Sequence, residues 1–198
     1  PLVSKVCNIQ MVQIATDIMT SQYTGRPSPV PALKEKKFAH YGVKEAVFPF
    51  NMFPEVDPVL GPEMRSTGEV LGISSDFGEA FYKAQEATQT KLPLSGSVLI
   101  SINDRDKAEL ETVARGFHEC GFEIYATSGT YTAITKLGIP AKKVSKIAEG
   151  RPNVLDVITN REVSVIVNTP IGKKGATDDS YIRKAAIKSK IPYITTMA

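Results

Sequence analysis

From Ser97 onward, short apolar segments alternate with segments of helical period, and this alternation constrains the fold more than any other feature of the chain. Strands and helices that alternate at such lengths predict a parallel sheet with helices on both faces and right-handed crossover connections. The predicted strands are 98–102, 122–126, 143–147, 163–167 and 193–195. The predicted helices are 107–120, 131–137, 154–160 and 178–190. We therefore expect an α/β domain with a parallel five-stranded sheet, similar in layout to Rossmann folds.

The N-terminal part of the chain is irregular and rich in proline. Its apolar spacing predicts a helix over 4–20, strands over 43–50 and 68–73, and a helix over 77–87. Asp76 is a plausible N-cap for the last helix. These elements are too few for a complete core, so we interpret 1–92 as an α+β segment of a larger domain. Because the chain starts at Pro1 without Met and stops after a strand, we expect a fragment whose second domain, 93–198, lacks its closing helix.

Composition excludes several classes of protein. The 198 residues carry a formal net charge of +3. Residues 1–96 hold 9 Lys and Arg against 10 Asp and Glu, whereas 97–198 hold 15 against 11, which favours an anionic ligand in the second half. We expect no nucleic acid and no membrane as partner, because basic runs and apolar runs of ~18 residues are both absent from the sequence. The two isolated histidines argue against a metal site, and the two cysteines fit reduced thiols in a cytoplasmic protein.

Polar or small residues follow four of the predicted strands, where open parallel sheets bind their ligands. The most distinctive is the Thr-Ser-Gly-Thr turn at 127–130, in which glycine permits close approach and the following helix offers free N–H groups to an anion. Lys107 follows the first predicted strand and Lys146 lies in the third, and both would add positive charge. A phosphate fits this arrangement. An ordinary capped turn explains the same residues, since Thr and Ser are common N-caps.

Two further candidates lie elsewhere. Asn168 follows the fourth strand and is suited to a base or ribose edge, while Lys173 and Lys174 could reach a phosphate. A solvated loop explains these three residues equally. Glu45 is a carboxylate within an apolar strand, and a period of two would also place it simply toward solvent.

The segment VKEAVFPFNMFPEVDPVLGPEMRSTGEVLG at 43–72 joins two apolar strands through prolines, glycines and charges, which indicates a backbone shaped around a ligand or another domain. It resembles the end of the second ATP-grasp half of the carbamoyl phosphate synthase large subunit. The segment PLVSKVCNIQMVQIATDIMT at 1–20 resembles the stretch that follows the metal-binding run of that half. Residues from about 94 resemble the family's C-terminal allosteric domain, which has a methylglyoxal-synthase-like fold.

The resemblance implies a ligase that makes carbamoyl phosphate from bicarbonate, glutamine-derived ammonia and ATP, with Mg or Mn, for pyrimidine and arginine biosynthesis. It implies that the last domain binds UMP as an inhibitor and, in some bacteria, IMP, while ornithine activates at the junction with the ATP-grasp unit. A glutaminase small subunit and a homo-oligomer are the implied protein partners. Because the family's ATP and metal ligands precede residue 1, we expect this chain alone to be inactive and without a cofactor.

The resemblance also assigns residues to these sites. The positions that correspond to the nucleotide site are Lys107, Thr127, Ser128, Gly129, Thr130, Lys146, Asn168, Thr169 and Lys173. Ser128 replaces a family His, Pro170 stands where Thr is frequent, and Lys173 stands where Arg occurs, so the chain departs from the pattern for IMP more than for phosphate. Glu45, Tyr193 and Thr195 correspond to ornithine-contacting positions. The turn favours the nucleotide-regulated microbial type over the acetylglutamate-dependent vertebrate type.

Two other functions share this fold. A stand-alone methylglyoxal synthase acting on a triose phosphate needs a positioned base for proton abstraction. The first strand leads into Asn103-Asp104 without a His, and no acid follows the turn in Tyr131-Thr132-Ala133. The phosphate-binding end of a purine-synthesis cyclohydrolase is the other alternative, and the ATP-grasp-like residues 1–90 argue against it.

Overall fold

The computed structural model describes residues 2–30, 34–35, 37–52, 62–88, 91–170 and 172–197, and it describes no side chain at 51 or 172–177. The chain divides into two compact units. The first unit comprises 1–47 and 66–89, and the second comprises 48–65 and 90–198. None of the described helices is long and apolar enough to cross a membrane.

In its described residues, the first unit contains an antiparallel pair of strands and three α-helices. Its elements are α1 (Leu2–Cys7), α2 (Met11–Thr24), β1 (Tyr41–Val47), β2 (Gly68–Ser74) and α3 (Phe77–Ala87). Helix α3 buries Ala80 and Ala84 completely, and small side chains at these positions let it approach β2 closely. The predicted N-cap is confirmed, because the Asp76 carboxylate accepts a hydrogen bond from the Glu79 N–H at 2.9 Å.

The single helix predicted over 4–20 is wrong. Asn8 adopts a left-handed φ of 48°, which ends α1 before α2 begins at Met11. Asparagine tolerates this conformation better than most residues do. The spacing of apolar residues does not reveal such a break, so the prediction joined the two helices. Neither helix contains a buried residue. The strand predicted over 43–50 also ends early, at Val47, before a 3₁₀ turn at Pro49–Asn51.

The second unit is built on a parallel sheet of five strands in the order β5-β4-β3-β6-β7. These strands are β3 (Ser97–Ile102), β4 (Glu123–Thr127), β5 (Lys142–Val144), β6 (Val165–Thr169) and β7 (Tyr193–Ile194). All four neighbouring pairs run parallel. The predicted α/β fold class is confirmed.

Helices cover both faces of this sheet. They are α4 (Leu110–Glu119), α5 (Ser128–Lys136), α6 (Val154–Thr159) and α7 (Gly172–Ser189). Side chains alternate along β3, so that Val98 and Ile100 pack against α4 and α5 while Leu99 packs against α6 and α7. All three are fully buried. The two cores are therefore separated by the sheet itself.

Several predicted boundaries in this unit are wrong in ways that affect the candidate site. Strand β6 extends to Thr169, and Asn168 pairs with Ser101 in the ladder. The sequence hid this because polar residues at a strand end look like a loop. Helix α5 begins at Ser128, so the Thr-Ser-Gly-Thr turn forms its first turn. Helix α7 begins at Gly172, well before the predicted residue 178. The prediction started too late because the first residues of the helix lack an apolar period.

The two remaining corrections concern short 3₁₀ segments. The helix predicted over 107–120 is preceded by a 3₁₀ turn at Asp104–Ala108, and its α-helical part begins at Leu110. The side chain of Asn103 caps this turn by accepting a hydrogen bond from the Arg105 N–H at 2.7 Å. The strand predicted over 143–147 ends at Val144.

Gly72 offers a test of the packing between β2 and α3. A Cβ at this position would lie 1.9 Å from the Ala80 carbonyl oxygen and 2.6 Å from the Ala84 nitrogen, both in the backbone of α3. We expect Gly72→Ala to destabilise the first unit by about 2 kcal/mol or more, because backbone atoms cannot rotate away. Hydrogen exchange of the β2 and α3 amides measures the loss. Gly68→Ala in the same strand is the control, since its Cβ would meet nothing within 4 Å. Equal exchange in both variants would contradict the prediction.

Candidate functional site

Two adjoining cavities open at the carboxyl edge of the five-stranded sheet, with volumes of about 380 and 340 Å³. The first extends to Asp179 and Ile182 of α7 and is called the α7 cavity. The second extends to Gly129 of α5 and is called the α5 cavity. Their shared wall consists of Ser101, Ile102, Asn103, Thr127 and Lys146. Each volume lies within the usual range of small-molecule sites, and the shared wall makes them one continuous candidate site.

The α5 cavity is bordered by the two lysines that the sequence singled out. Lys107 Nζ lies 2.6 Å from Asp104 Oδ1. This hydrogen bond, followed by the charge of Lys107 and that of Lys146, holds the pKa of Asp104 below its usual value. Lys146 forms no ion pair with any residue that the structure describes. This end of the site therefore carries positive charge suited to an anion.

The N-terminus of α5 adds to this positive end. The helix starts directly after β4, and Gly129 and Thr130 of its first turn line the α5 cavity. First-turn N–H groups have no acceptor within a helix, and the helix end carries a partial positive charge. Gly129 has an ordinary φ, and a Cβ there would meet no atom within 4 Å. Neither the backbone conformation nor the packing requires glycine at position 129. The effect of the missing side chain is to leave space for a ligand.

Ser128 points elsewhere. Its hydroxyl donates to Glu149 Oε2 at 3.3 Å, and the same carboxylate oxygen accepts the Lys146 N–H at 2.9 Å. Ser128 lines neither cavity. Its contact ties α5 to the 3₁₀ turn at Ile147–Glu149 and so fixes the backbone that carries Lys146.

Two threonines of the predicted set have their hydroxyl groups engaged inside the protein. Thr130 Oγ1 accepts the Ile102 N–H at 3.1 Å, and its side chain is 2% exposed. Thr169 Oγ1 accepts from the Asn103 N–H at 3.2 Å and from Asn103 Nδ2 at 2.9 Å. These bonds hold the strand ends and the 3₁₀ turn at Asp104–Ala108 in place. The two threonines therefore shape the wall of the site.

Thr127, Ser101 and Asn168 lie on the sheet face that α6 and α7 cover. The Thr127 hydroxyl donates to Ser101 Oγ at 3.2 Å, and Ser101 pairs with Asn168 in the β3–β6 ladder. All three line the α7 cavity. A row of small polar side chains thus runs across three neighbouring strand ends, as binding along the carboxyl edge requires.

Asn168 belongs to a buried hydrogen-bond network at the far end of the α7 cavity. Its Nδ2 lies 2.6 Å from Tyr193 Oη and 3.1 Å from Asp179 Oδ1. The Tyr193 hydroxyl donates to the same Asp179 oxygen. Arg183 Nη2 pairs with the other oxygen, Asp179 Oδ2, at 2.8 Å. Burial, opposed by the Asn168 bond and supported by Asp179, raises the pKa of Tyr193, which keeps its hydroxyl protonated.

The residues predicted to contact ornithine are divided between the two units. Tyr193 and Thr195 belong to the second unit, whereas Glu45 belongs to the first. Glu45 Oε2 accepts a hydrogen bond from Gln85 Nε2 at 3.0 Å. Thr195 is exposed. The side chain of Lys173 lies outside the described residues.

Sequence reasoning did not assign eight residues that line the α7 cavity to the site. Ser101 sits inside a predicted strand, and only its register opposite Asn168 reveals its role. Asp179 in α7 had no recognised partner in the sequence, because only the fold brings Tyr193 and Asn168 to it. The missed residues are Ser101, Ile102, Asn103, Ile147, Val154, Asp178, Asp179 and Ile182. Within the described residues, no group of three His, Cys, Asp or Glu side chains is arranged to hold a metal ion.

Comparisons with known proteins address the family. The family model described as MGS-like domain matches residues 109–195. The carbamoyl phosphate synthase large chain, C-terminal section, of Aquifex aeolicus is 52% identical over 164 residues, covering 83% of this chain and 30% of that protein. The large chain of Archaeoglobus fulgidus is 50% identical over 200 residues, which cover 100% of this chain and 18% of that protein. The large chain, C-terminal section, of Methanocaldococcus jannaschii is 46% identical over 205 residues, which cover 100% of this chain and 33% of that protein.

Over its whole length, this chain is similar to carbamoyl phosphate synthase large chains. The resemblance inferred from residues 43–72 is thereby confirmed, and the match is to the C-terminal section of the large chain. The chain spans between 18% and 33% of the length of these three synthase relatives.

A solved structure of methylglyoxal synthase from Elizabethkingia anophelis aligns with a TM-score of 0.40 at 16% identity. The alignment covers 53% of this chain and 74% of that chain. The assignment of an MGS-like domain in this chain depends on the family model.

The role of Thr130 in shaping the wall of the candidate site is open to a direct test. We expect Thr130→Val to destabilise the second unit by about 1–3 kcal/mol, because the buried Ile102 N–H loses its acceptor while side-chain volume is kept. The Ile102 amide should exchange faster in the variant, as measured by NMR. The control is Thr132→Val in the same helix, whose exposed hydroxyl only bonds to the Ser128 carbonyl at 3.0 Å. Its effect should stay within about 0.5 kcal/mol. Similar losses in both variants would contradict the structural role of Thr130.

Proposed function

We propose that this chain is the nucleotide-sensing regulatory part of a carbamoyl phosphate synthase large chain, and that UMP, or IMP, binds in the two adjoining cavities. The observation that carries the proposal is their polarity. One end combines Lys107, Lys146 and the α5 N-terminus, and the other end combines apolar groups with hydrogen-bonding groups that include the carboxylates of Asp178 and Asp179. A nucleoside monophosphate has the same division, with its charge at one end and its base and ribose at the other.

The dimensions and the chemistry of the α5 cavity support a phosphate at this end. Two lysines and a helix N-terminus converge on one cavity, and charge-assisted bonds of this kind are the strong ones in anion binding. From the phosphate, the ligand extends along the shared wall, past Thr127 and Ser101, into the α7 cavity. Val154 and Ile182 provide apolar contact there. Thr127, Gly129, Lys107 and Lys146 are the proposed phosphate contacts, and Asn168 contacts the remainder.

The parent enzyme is proposed to be the ATP-dependent, metal-requiring ligase of the cytoplasm that uses bicarbonate and glutamine-derived ammonia, in partnership with a glutaminase small subunit. In this proposal the present chain regulates the reaction without taking part in it. A nucleotide acts by binding one state of the synthase more tightly than another, and the difference in affinity sets the size of the effect. We propose ornithine and self-association as further inputs to the same section.

Lys146→Ala tests the phosphate site. We expect the variant to bind UMP more weakly by about 1–3 kcal/mol, because a charged hydrogen-bond partner is lost. Calorimetric titration of the chain with UMP, and with IMP as competitor, measures this. Lys142→Ala is the matched control: it removes a lysine that pairs with Glu123 at 2.9 Å and lines neither cavity. Unchanged affinity in Lys146→Ala would remove Lys146 from the site, and turnover of a triose phosphate would favour methylglyoxal synthase instead.

Gly129→Ala separates ligand binding from folding. The added methyl group would meet no protein atom within 4 Å, and alanine is favoured over glycine in helices. We therefore expect unchanged or higher stability together with an affinity for UMP that is lower by roughly 1 kcal/mol or more, through contact with the ligand. Gly116→Ala in α4 is the control, since its Cβ would also meet nothing within 4 Å and it lies outside both cavities. Full UMP affinity in Gly129→Ala would show that the ligand does not approach the α5 N-terminus.

A further inference from the structure

Asn168 is the buried polar side chain at which the cavity wall and the interior of the unit meet. It is 6% exposed, lines the α7 cavity, and lies at the end of β6 opposite Ser101. A side-chain amide can present either a donor or an acceptor to a ligand. Which one it presents decides what the ligand must carry.

The Asp179 network settles the orientation of this amide. Asp179 Oδ1, which accepts only, lies 3.1 Å from one end of the amide, and the Tyr193 oxygen lies 2.6 Å from the same end. Tyr193 has already donated its single proton to Asp179. An amide oxygen at this end would face two oxygens without a hydrogen to receive. The amide nitrogen must therefore face the network.

The network itself is held firmly. Arg183 pairs with the second oxygen of Asp179 at 2.8 Å and also lies over the Tyr193 ring, with its Cζ 5.2 Å from the ring centre. The Asp179 side chain is only 9% exposed and that of Arg183 is 24% exposed. A buried carboxylate with this many partners cannot turn away without leaving charges unpaired. Rotation of the Asn168 amide is correspondingly costly.

With its nitrogen turned inward, Asn168 has its oxygen, Oδ1, left for the cavity. The described residues provide no hydrogen-bond partner for Oδ1, and it is not among their fully buried unpaired atoms. Asp178 adds a carboxylate to the same cavity lining. This end of the site is therefore rich in acceptors, in contrast to the lysines at the other end.

We propose that Asn168 accepts a hydrogen bond from the ligand, that Asp179 and Tyr193 are the positioning residues that fix this acceptor, and that the site therefore selects nucleotides with a donor away from the phosphate. This inference rests on the proposed function. Both a ribose hydroxyl and a base N–H supply that chemistry. A ligand without a donor at this position leaves Oδ1 buried and unpaired, which costs roughly 5- to 100-fold in affinity.

The test compares UMP with 2′-deoxy-UMP, 3′-deoxy-UMP and N3-methyl-UMP by calorimetric titration of the whole chain. Should IMP alone bind, its 2′-deoxy, 3′-deoxy and N1-methyl analogues replace them. We expect one analogue to bind roughly 5- to 100-fold more weakly, and its identity names the donor. In Asp179→Asn the amide of Asn168 is free to reverse, so the ratio of the affinity for UMP to that for the weaker analogue should fall toward one. The affinity for inorganic phosphate should stay within about two-fold, as expected for a change outside the phosphate contacts.

If Asp179 had a purely structural role, Asp179→Asn would lower the affinity for every ligand by the same factor and leave the ratio between UMP and its analogue unchanged. That result would overturn the proposal. Tyr193→Phe provides a second variant that keeps the ring and removes only the hydroxyl, and it should reduce the ratio as well. In the NMR spectrum, the side-chain amide protons of Asn168 should be protected in the wild type and lose protection in both variants. Equal binding of UMP and all three analogues to the wild type overturns the inference and leaves the proposed function standing. The absence of any nucleotide binding would instead remove the proposed function.

Discussion

The structure of the second unit depends on how the polar groups at the ends of its parallel strands are hydrogen-bonded. All five strands end at one edge, and the last side chains of the central ones are nearly buried, with Thr127, Asn168 and Thr169 each at most 6% exposed. Buried polar groups without partners cost about 1–3 kcal/mol each. The hydroxyl and amide contacts among these strand ends are thus a condition for the fold, and the candidate site is the space that these contacts leave open.

This requirement explains which parts of the site could be predicted. The alternation of apolar strands with helices predicts the sheet, and the rule that ligands bind at carboxyl ends then identifies Lys107, Lys146 and Gly129 as neighbours. Composition cannot reveal how each hydroxyl is used. Thr130 and Thr169 look identical to ligand-binding threonines in the sequence, yet their hydroxyls bond to Ile102 and Asn103.

The remaining errors have a common physical origin in residues whose role depends on register. The end of β6 was predicted two residues too early, because a polar Asn168 and Thr169 suggest a loop unless Ser101 and Ile102 are known to pair with them. Asp179 was missed because its partners come from β6 and β7, which only the fold brings to α7. The break at Asn8 shows the same limit within the first unit, since a single left-handed residue interrupts an otherwise helical pattern.

The charges around the two cavities also determine how a ligand must compete. Lys107 is already paired with Asp104, and this pairing lowers the pKa of Asp104, so the carboxylate stays ionised in the absence of a ligand. An anion that binds Lys107 has to share it with Asp104 or displace it. Because the Asp104 side chain is 92% exposed, the released carboxylate returns to water at little cost. At the opposite end Asp179 is buried and bonded to Asn168, Tyr193 and Arg183, so it cannot be released in this way. One end of the site therefore exchanges partners easily while the other stays fixed, which allows a charged group to bind without loosening the groups that select the rest of the ligand.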